Sequence, residues 1–187
     1  EAPYFVCVGS VRPHKNIARL LLAFASIADR LPHALVIAGL GSRDGAHTRW
    51  HAALPPAVQA RVRFTGFVED AALRALVAGA DALVFPSLYE GFGLPALEAM
   101  AAGCPVLASK AGALPEVCGP AAAGYFDPHS AEDIGRALLQ HAALPGPERQ
   151  AISAGGRAHA RSFDWDRTAA LTTEVIASAL RAAGELK

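Results

Sequence analysis

Two glutamates, Glu90 and Glu98, bracket the segment EGFGLPALE. A carboxylate accepts hydrogen bonds from two neighbouring hydroxyls at once, which suits the diol of a sugar. An apolar run at 82–85, closed by Pro86, leads into this segment as a predicted strand. The segment itself predicts a turn and then a helix with Pro95 as its first residue. At such a helix start the N–H groups around Phe92, Gly93 and Leu94 have no helical partner and attract anions. Gly91 and Gly93 let the backbone bend and a ligand come close. Glu98 falls about one turn into the helix, its side chain tilted back toward the N-terminus. Glu90 enters the same turn from the strand side. An anion site between two diol acceptors has the shape of a nucleotide-sugar.

A second loop, GSVRPHKN at 9–16, leaves the C-terminal end of the first predicted strand, where doubly wound folds bind ligands. It opens on Gly9 and Ser10 and holds two fixed cations, Arg12 and Lys15. Such cations can neutralise a diphosphate. Standing alone, this is equally an ordinary solvated loop; beside the two glutamates it reads as a leaving-group site.

The elements that must position these residues alternate along the chain. Apolar runs at 4–9, 34–39, 62–65, 82–85, 106–109 and 124–126 predict strands buried on both faces. Helices are predicted at 16–31 with Asn16 as cap, at 70–79 capped by Asp70 or just before it, at 95–102, and at 131–143 capped by Ser130. This order predicts a Rossmann-like, doubly wound parallel α/β sheet with helices on both faces. From 147 to 187 only helix is predicted, broken near 162–164. The whole of 1–187 reads as one domain: a core at about 1–146 and a helical tail.

Composition excludes several classes. The chain has 187 residues, 52 % apolar and 18 % charged, and its 17 basic and 17 acidic residues cancel. Disorder is excluded, and no basic face points to nucleic acid. No apolar run is long enough to span a bilayer. Cys7, Cys104 and Cys118 lack any C-x-x-C spacing and read as buried apolar residues in a reduced, cytoplasmic setting. His47 and His51 have the spacing of a zinc pair but no evident third ligand, so a surface helix is preferred. The chain enters a strand almost at once after Glu1, as expected of a piece of a longer protein.

EGFGLPALE, continued by AMAAGCPV, resembles the E-x7-E motif of the retaining GT-B glycosyltransferases, the large family that includes bacterial mannosyl- and glucosyltransferases and sucrose synthase. The resemblance covers most of the chain and implies the donor-binding half of a GT-B enzyme, with the N-terminal acceptor domain absent. It implies that Glu98 binds ribose, that Glu90 meets the donor sugar, and that the backbone at Gly91, Phe92, Gly93 and Leu94 holds phosphate or sugar. Lys15 with Arg12 then stabilises the diphosphate, and backbone at Val68, in FTGFVED, meets the base. Relatives place an arginine where Ser10 or His14 stands here, so that role falls to Arg12, to His14, or to neither. No metal or other cofactor is implied. The implied donor is GDP-mannose or a UDP-sugar, and the implied acceptor is a glycan or lipid-linked glycan held by the other domain. Contact with the inner face of the membrane would also come from that domain. The isolated fragment is expected to be inactive. GLGSRDG, at 39–45, departs from a dinucleotide fingerprint and reads as a turn lining the cleft. Glu116, in KAGALPEV, reads as a local cap, and Trp165, in FDWDRTA, as a packing anchor. A nucleotide-binding module without chemistry is the alternative that shares every anion-site feature.

Overall fold

Six apolar runs form one parallel sheet: β1 (Tyr4–Val8), β2 (Ala34–Ala38), β3 (Val62–Gly66), β4 (Ala82–Phe85), β5 (Val106–Ser109) and β6 (Gly124–Phe126). The computed structural model describes residues 2–10, 12–39 and 46–183, the side chain of Ala46 excepted. The strand order is β3-β2-β1-β4-β5-β6, the Rossmann-like arrangement expected. Successive side chains enter opposite cores. Phe5, Cys7, Ala82 and Val84 join one, while Val6, Leu83 and Phe85 join the other. Burial on both faces is why these runs are continuously apolar. The edge strand β3 departs from this expectation: it buries Val62 and exposes Arg63 and Thr65.

The helices are α1 (Ile17–Ala25), α2 (Ala46–Ala52), α3 (Pro56–Gln59), α4 (Asp70–Ala78), α5 (Leu94–Ala102), α6 (Leu114–Cys118), α7 (Ala131–Ala142), α8 (Gly146–Ala160) and α9 (Trp165–Ala182). Ser130 caps α7 as predicted, its Oγ accepting from the Asp133 N–H at 3.0 Å. Five expectations need correction. α1 stops at Ala25 rather than at 31, because the next turns give their carbonyls to a distant cation. The Arg61 guanidinium donates to the carbonyls of Ala28, Leu31 and His33 and lies over the Phe24 ring. Asn16 precedes α1 but makes no capping bond to it, and no side chain caps α4. α5 begins at Leu94, with Pro95 second. Trp165 is not a buried packing anchor: it is 78 % exposed.

α8 packs on α5, where the Ser153 hydroxyl donates to the Gly103 carbonyl at 2.6 Å. The chain then breaks, and the Asp164 carboxylate caps α9 through the Asp166 N–H. No residue of α9 is buried. His47 and His51 lie on α2 against the Phe64 ring, and His51 Nε2 bonds the Gln59 carbonyl. The three cysteines are free and buried; burial pushes Cys7 and Cys104 up to about 12 and Cys118 up to about 11. Their thiolates are thus disfavoured. Among the described residues no helix is long and apolar enough to cross a membrane.

At the N-terminal end of the sheet, Asp81 gathers three side chains. His33 Nε2 and Arg149 Nη1 lie 2.8 and 2.7 Å from its carboxylate, and His141 Nε2 donates to its carbonyl at 2.9 Å. Burial favours the neutral Asp81 acid, yet the His33 hydrogen bond and the Arg149 charge outweigh it and hold the carboxyl below its usual range. Burial lowers the His141 imidazole against the partial relief of its bond to Asp81, and its Nδ1 has no partner among the described residues. A second proton on His141 therefore finds no acceptor among them. The unfolded chain takes up that proton more readily than the folded one, so stability is full above pH ~6.5 and is lost as pH falls. We expect the melting temperature to drop between pH 7 and 5, and His141→Gln to flatten that drop. An unchanged slope in the variant would assign the titration to another group.

Candidate functional site

β1 and β4 are neighbours, but the sheet grows outward from them in opposite directions. At such a point the loops leaving the two C-terminal strand ends part and open a crevice. The loop after β1 forms a 3-10 turn at Pro13–Lys15, and the loop after β4 runs into α5. They meet: the Leu88 N–H donates to the His14 carbonyl at 2.7 Å. Lys15 Nζ then donates to Glu90 Oε1 at 2.7 Å, with side chains only 18 % and 14 % exposed. Lys15 also lies 5.3 Å from the centroid of the Phe85 ring, the last residue of β4, and its stem lies near Gly9.

Glu90 is held from behind. The Ala113 N–H donates to its carbonyl at 3.1 Å, and Gly112 fits against its backbone. Gly112 has φ +56°, and a Cβ there would lie 2.5 Å from the Glu90 carbonyl oxygen and 2.8 Å from its nitrogen. The loop is tied further by Ser109 Oγ, which donates to the Ser87 carbonyl at 2.6 Å. These supports come from residues distant in sequence from EGFGLPALE; the one local signal is the glycine of KAGALPEV, a segment in which the sequence points only to Glu116.

Past Glu90 the backbone N–H groups of Gly91, Phe92, Gly93 and Leu94 donate to no protein group among the described residues. They stand at the N-terminus of α5, where the helix dipole favours an anion. Gly93, at φ +108°, is required there, since a Cβ would meet Leu114 at 2.6 Å. Gly91 is not: its φ is not positive and a Cβ would meet nothing within 4 Å. Glu98 is exposed one turn into α5 and has no partner among the described residues. It borders a cavity of about 600 Å³ lined also by Phe92, Leu97, Ala101, Phe163 and Trp165.

Other predicted residues are less closely gathered. Ser10 and Arg12 are exposed on the β1 loop, and the Arg12 and His14 side chains make no hydrogen bond among the described residues. Val68 follows β3, two strands from β1 and thus roughly 10 Å to the side. Glu116 is exposed in the first turn of α6, with no side-chain bond. Of GLGSRDG, residues 40–45 lie outside the described residues; Gly39 has φ +92°. Among the described residues no group of three or more His, Cys, Asp or Glu is arranged to hold a metal ion.

A six-stranded parallel sheet in the order β3-β2-β1-β4-β5-β6, with its crevice where β1 and β4 meet, defines the Rossmann-like α/β class of protein. Residues 1–159 match the family model described as glycosyl transferases group 1, and the chain belongs to that family. It is 35 % identical to O-antigen chain mannosyltransferase B of Escherichia coli over 92 % of this chain and 44 % of that protein. It is 36 % identical to an MMP alpha-(1->4)-mannosyltransferase of Mycolicibacterium hassiacum over 80 % of this chain and 33 % of that protein. The chain thus spans less than half the length of these relatives. Among solved structures, sucrose-phosphate synthase from Thermosynechococcus elongatus matches with a TM-score of 0.79 at 26 % identity, over 97 % of this chain and 46 % of that one. An Anabaena protein solved with UDP and glucose shares the fold, with a TM-score of 0.78 at 22 % identity, over 94 % of this chain and 48 % of that one.

The fit of Gly112 behind Glu90 gives a direct test. Gly112→Ala should destabilise the protein by roughly 1–3 kcal/mol. Gly91→Ala should stay within about 0.5 kcal/mol of wild type. Equal effects of the two changes in chemical denaturation would show that Glu90 is not braced in this way.

Proposed function

We propose that this chain is the donor-binding domain of a retaining hexosyltransferase that uses a nucleotide-diphosphate sugar and needs no metal. The observation that carries the reading is the meeting of Lys15 and Glu90 beside the unpaired N–H groups of α5. An ammonium has three donors. One is engaged by Glu90, which leaves two for a diphosphate. In this reading the α5 N–H groups and Lys15, with Arg12, hold the diphosphate, Glu98 accepts from the ribose hydroxyls, and Glu90 accepts from the sugar. The backbone at Val68 faces the base, while Gly9 and Ser10 line the phosphate side.

In transfer, the bond from the anomeric carbon to the phosphate oxygen breaks, and its electron pair leaves with the nucleoside diphosphate. The acceptor hydroxyl bonds to the same face of that carbon and gives its proton to the departing phosphate oxygen. Lys15 and the α5 N-terminus stabilise the growing charge, the role a divalent ion fills elsewhere. The mannosyltransferase relatives support mannose as the transferred sugar, in keeping with GDP-mannose as donor. The Anabaena structure with UDP and glucose supports a UDP-sugar as the second choice. The acceptor, a glycan or lipid-linked glycan at the cytoplasmic face of the membrane, is held by protein outside this chain, so residues 1–187 alone bind donor without transferring it.

Calorimetric titration of the natural full-length chain with GDP, UDP, ADP, GDP-mannose and UDP-glucose tests this. Glu98→Ala should weaken the preferred nucleotide about 10- to 150-fold. Lys15→Ala should lower kcat about 10²- to 10³-fold. Wild-type protein that binds none of the five, or Glu98→Ala that binds as well as wild type, would overturn the assignment.

A further inference from the structure

Asn16 stands at the start of α1, yet its amide is spent elsewhere. Nδ2 donates to the Pro86 carbonyl at 2.9 Å and to the Pro128 carbonyl at 2.7 Å. Oδ1 accepts from Arg19 Nη1 at 3.0 Å, and the same nitrogen reaches the Pro128 carbonyl at 3.1 Å. Pro86 follows β4 and Pro128 follows β6. One side chain, 8 % exposed, therefore joins the loops that leave β1, β4 and β6. All its hydrogen-bonding atoms are engaged, both amide hydrogens included.

The backbone of Asn16 is as unusual as its side chain. Its φ of 57° makes it the only non-glycine residue with positive φ among the described residues. Asparagine tolerates this left-handed conformation better than most side chains. The turn sends Lys15 toward Glu90 and Asn16 toward Pro86. Three ties thus join two short segments: His14 to Leu88, Lys15 to Glu90 and Asn16 to Pro86. The backbone tie and the amide tie flank the ion pair in sequence on the β1 side.

We propose that Asn16 is a positioning residue: its amide fixes the β4 loop against the β1 loop, and so sets the register in which Lys15 meets Glu90. The catalytic consequence rests on the roles given to Lys15 and Glu90 under Proposed function; the geometric claim stands without them. A residue that merely stabilised the fold would lower stability and leave the Lys15–Glu90 interaction intact. A positioning residue sets the strength of that interaction.

A double-mutant cycle separates the two. Lys15→Met, Glu90→Gln and their combination are unfolded chemically in the natural full-length chain, in the Asn16 and the Asn16→Gly backgrounds. Glycine keeps the backbone conformation and removes the amide. Coupling in the unfolding constant should be about fivefold with Asn16 and less than about twofold with glycine. Arg19→Ala, which removes the support of the amide oxygen together with the Arg19 bond to the Pro128 carbonyl but leaves the amide in place, should reduce the coupling in the same direction but less, and serves if Asn16→Gly does not fold. Coupling unchanged in either background that folds overturns the proposal.

The catalytic arm uses GDP-mannose and GDP. Asn16→Gly should lower kcat about ten- to a hundredfold while GDP, which lacks the sugar, binds within twofold of wild type. Equal loss of turnover and of GDP binding overturns the positioning role. Wild-type protein that binds none of the five nucleotides named under Proposed function sinks that function, and the cycle still decides the geometric claim.

Discussion

The constraint on which the site depends is the stitching of two loops that the sheet itself holds apart. Parallel neighbours such as β1 and β4 share hydrogen bonds along their length, but the loops beyond their ends have no ladder to align them. Here the alignment comes from the Leu88 N–H on the His14 carbonyl and from the Asn16 amide on Pro86. With those in place, a largely shielded carboxylate and ammonium face each other at 2.7 Å. Low solvent exposure strengthens the attraction and makes an unpaired partner costly, so the pair and its supports are interdependent.

The same arrangement explains how a charged side chain and an open helix end come to share one crevice. Positive potential converges from a side chain, Lys15, and from the open end of α5, elements brought together by β1 and β4. Gly93 and Gly112 allow the backbone to turn without a side chain in the way. One glycine shapes the turn into α5, and the other lets the backbone of Glu90 rest on the loop after β5. The site is thus built from three strand ends, and β6 is drawn in through Pro128.

Much of this was legible in the sequence. The bounds of β4, β5 and β6 follow from their apolar runs, and Ser130 announces α7, because these features are local. Glu90, Glu98 and Lys15 stood out by type and spacing. What could not be read depends on partners distant in the chain. α1 ends early because Arg61 claims the carbonyls beyond it. Asn16 looks like a cap in sequence, and only the tertiary structure redirects its amide. The exposed alternation of β3 follows from its place at the sheet edge, which no single segment reveals. Trp165 has the look of a packing residue because large aromatics usually bury themselves, but here it sits on a helix that buries none of its residues.

Strand order also governs how the chain is made. Lys15 and Glu90 lie 75 positions apart, and β4 docks beside β1 only after β2 and β3 have been synthesised. At typical translation rates the nascent chain waits on the order of 4–15 s between the two residues. Through that interval one side of β1 is an open edge beside an unmatched lysine, a surface that invites wrong pairing. The newly emerging β4 therefore closes an aggregation-prone edge and completes the charge pair in one event.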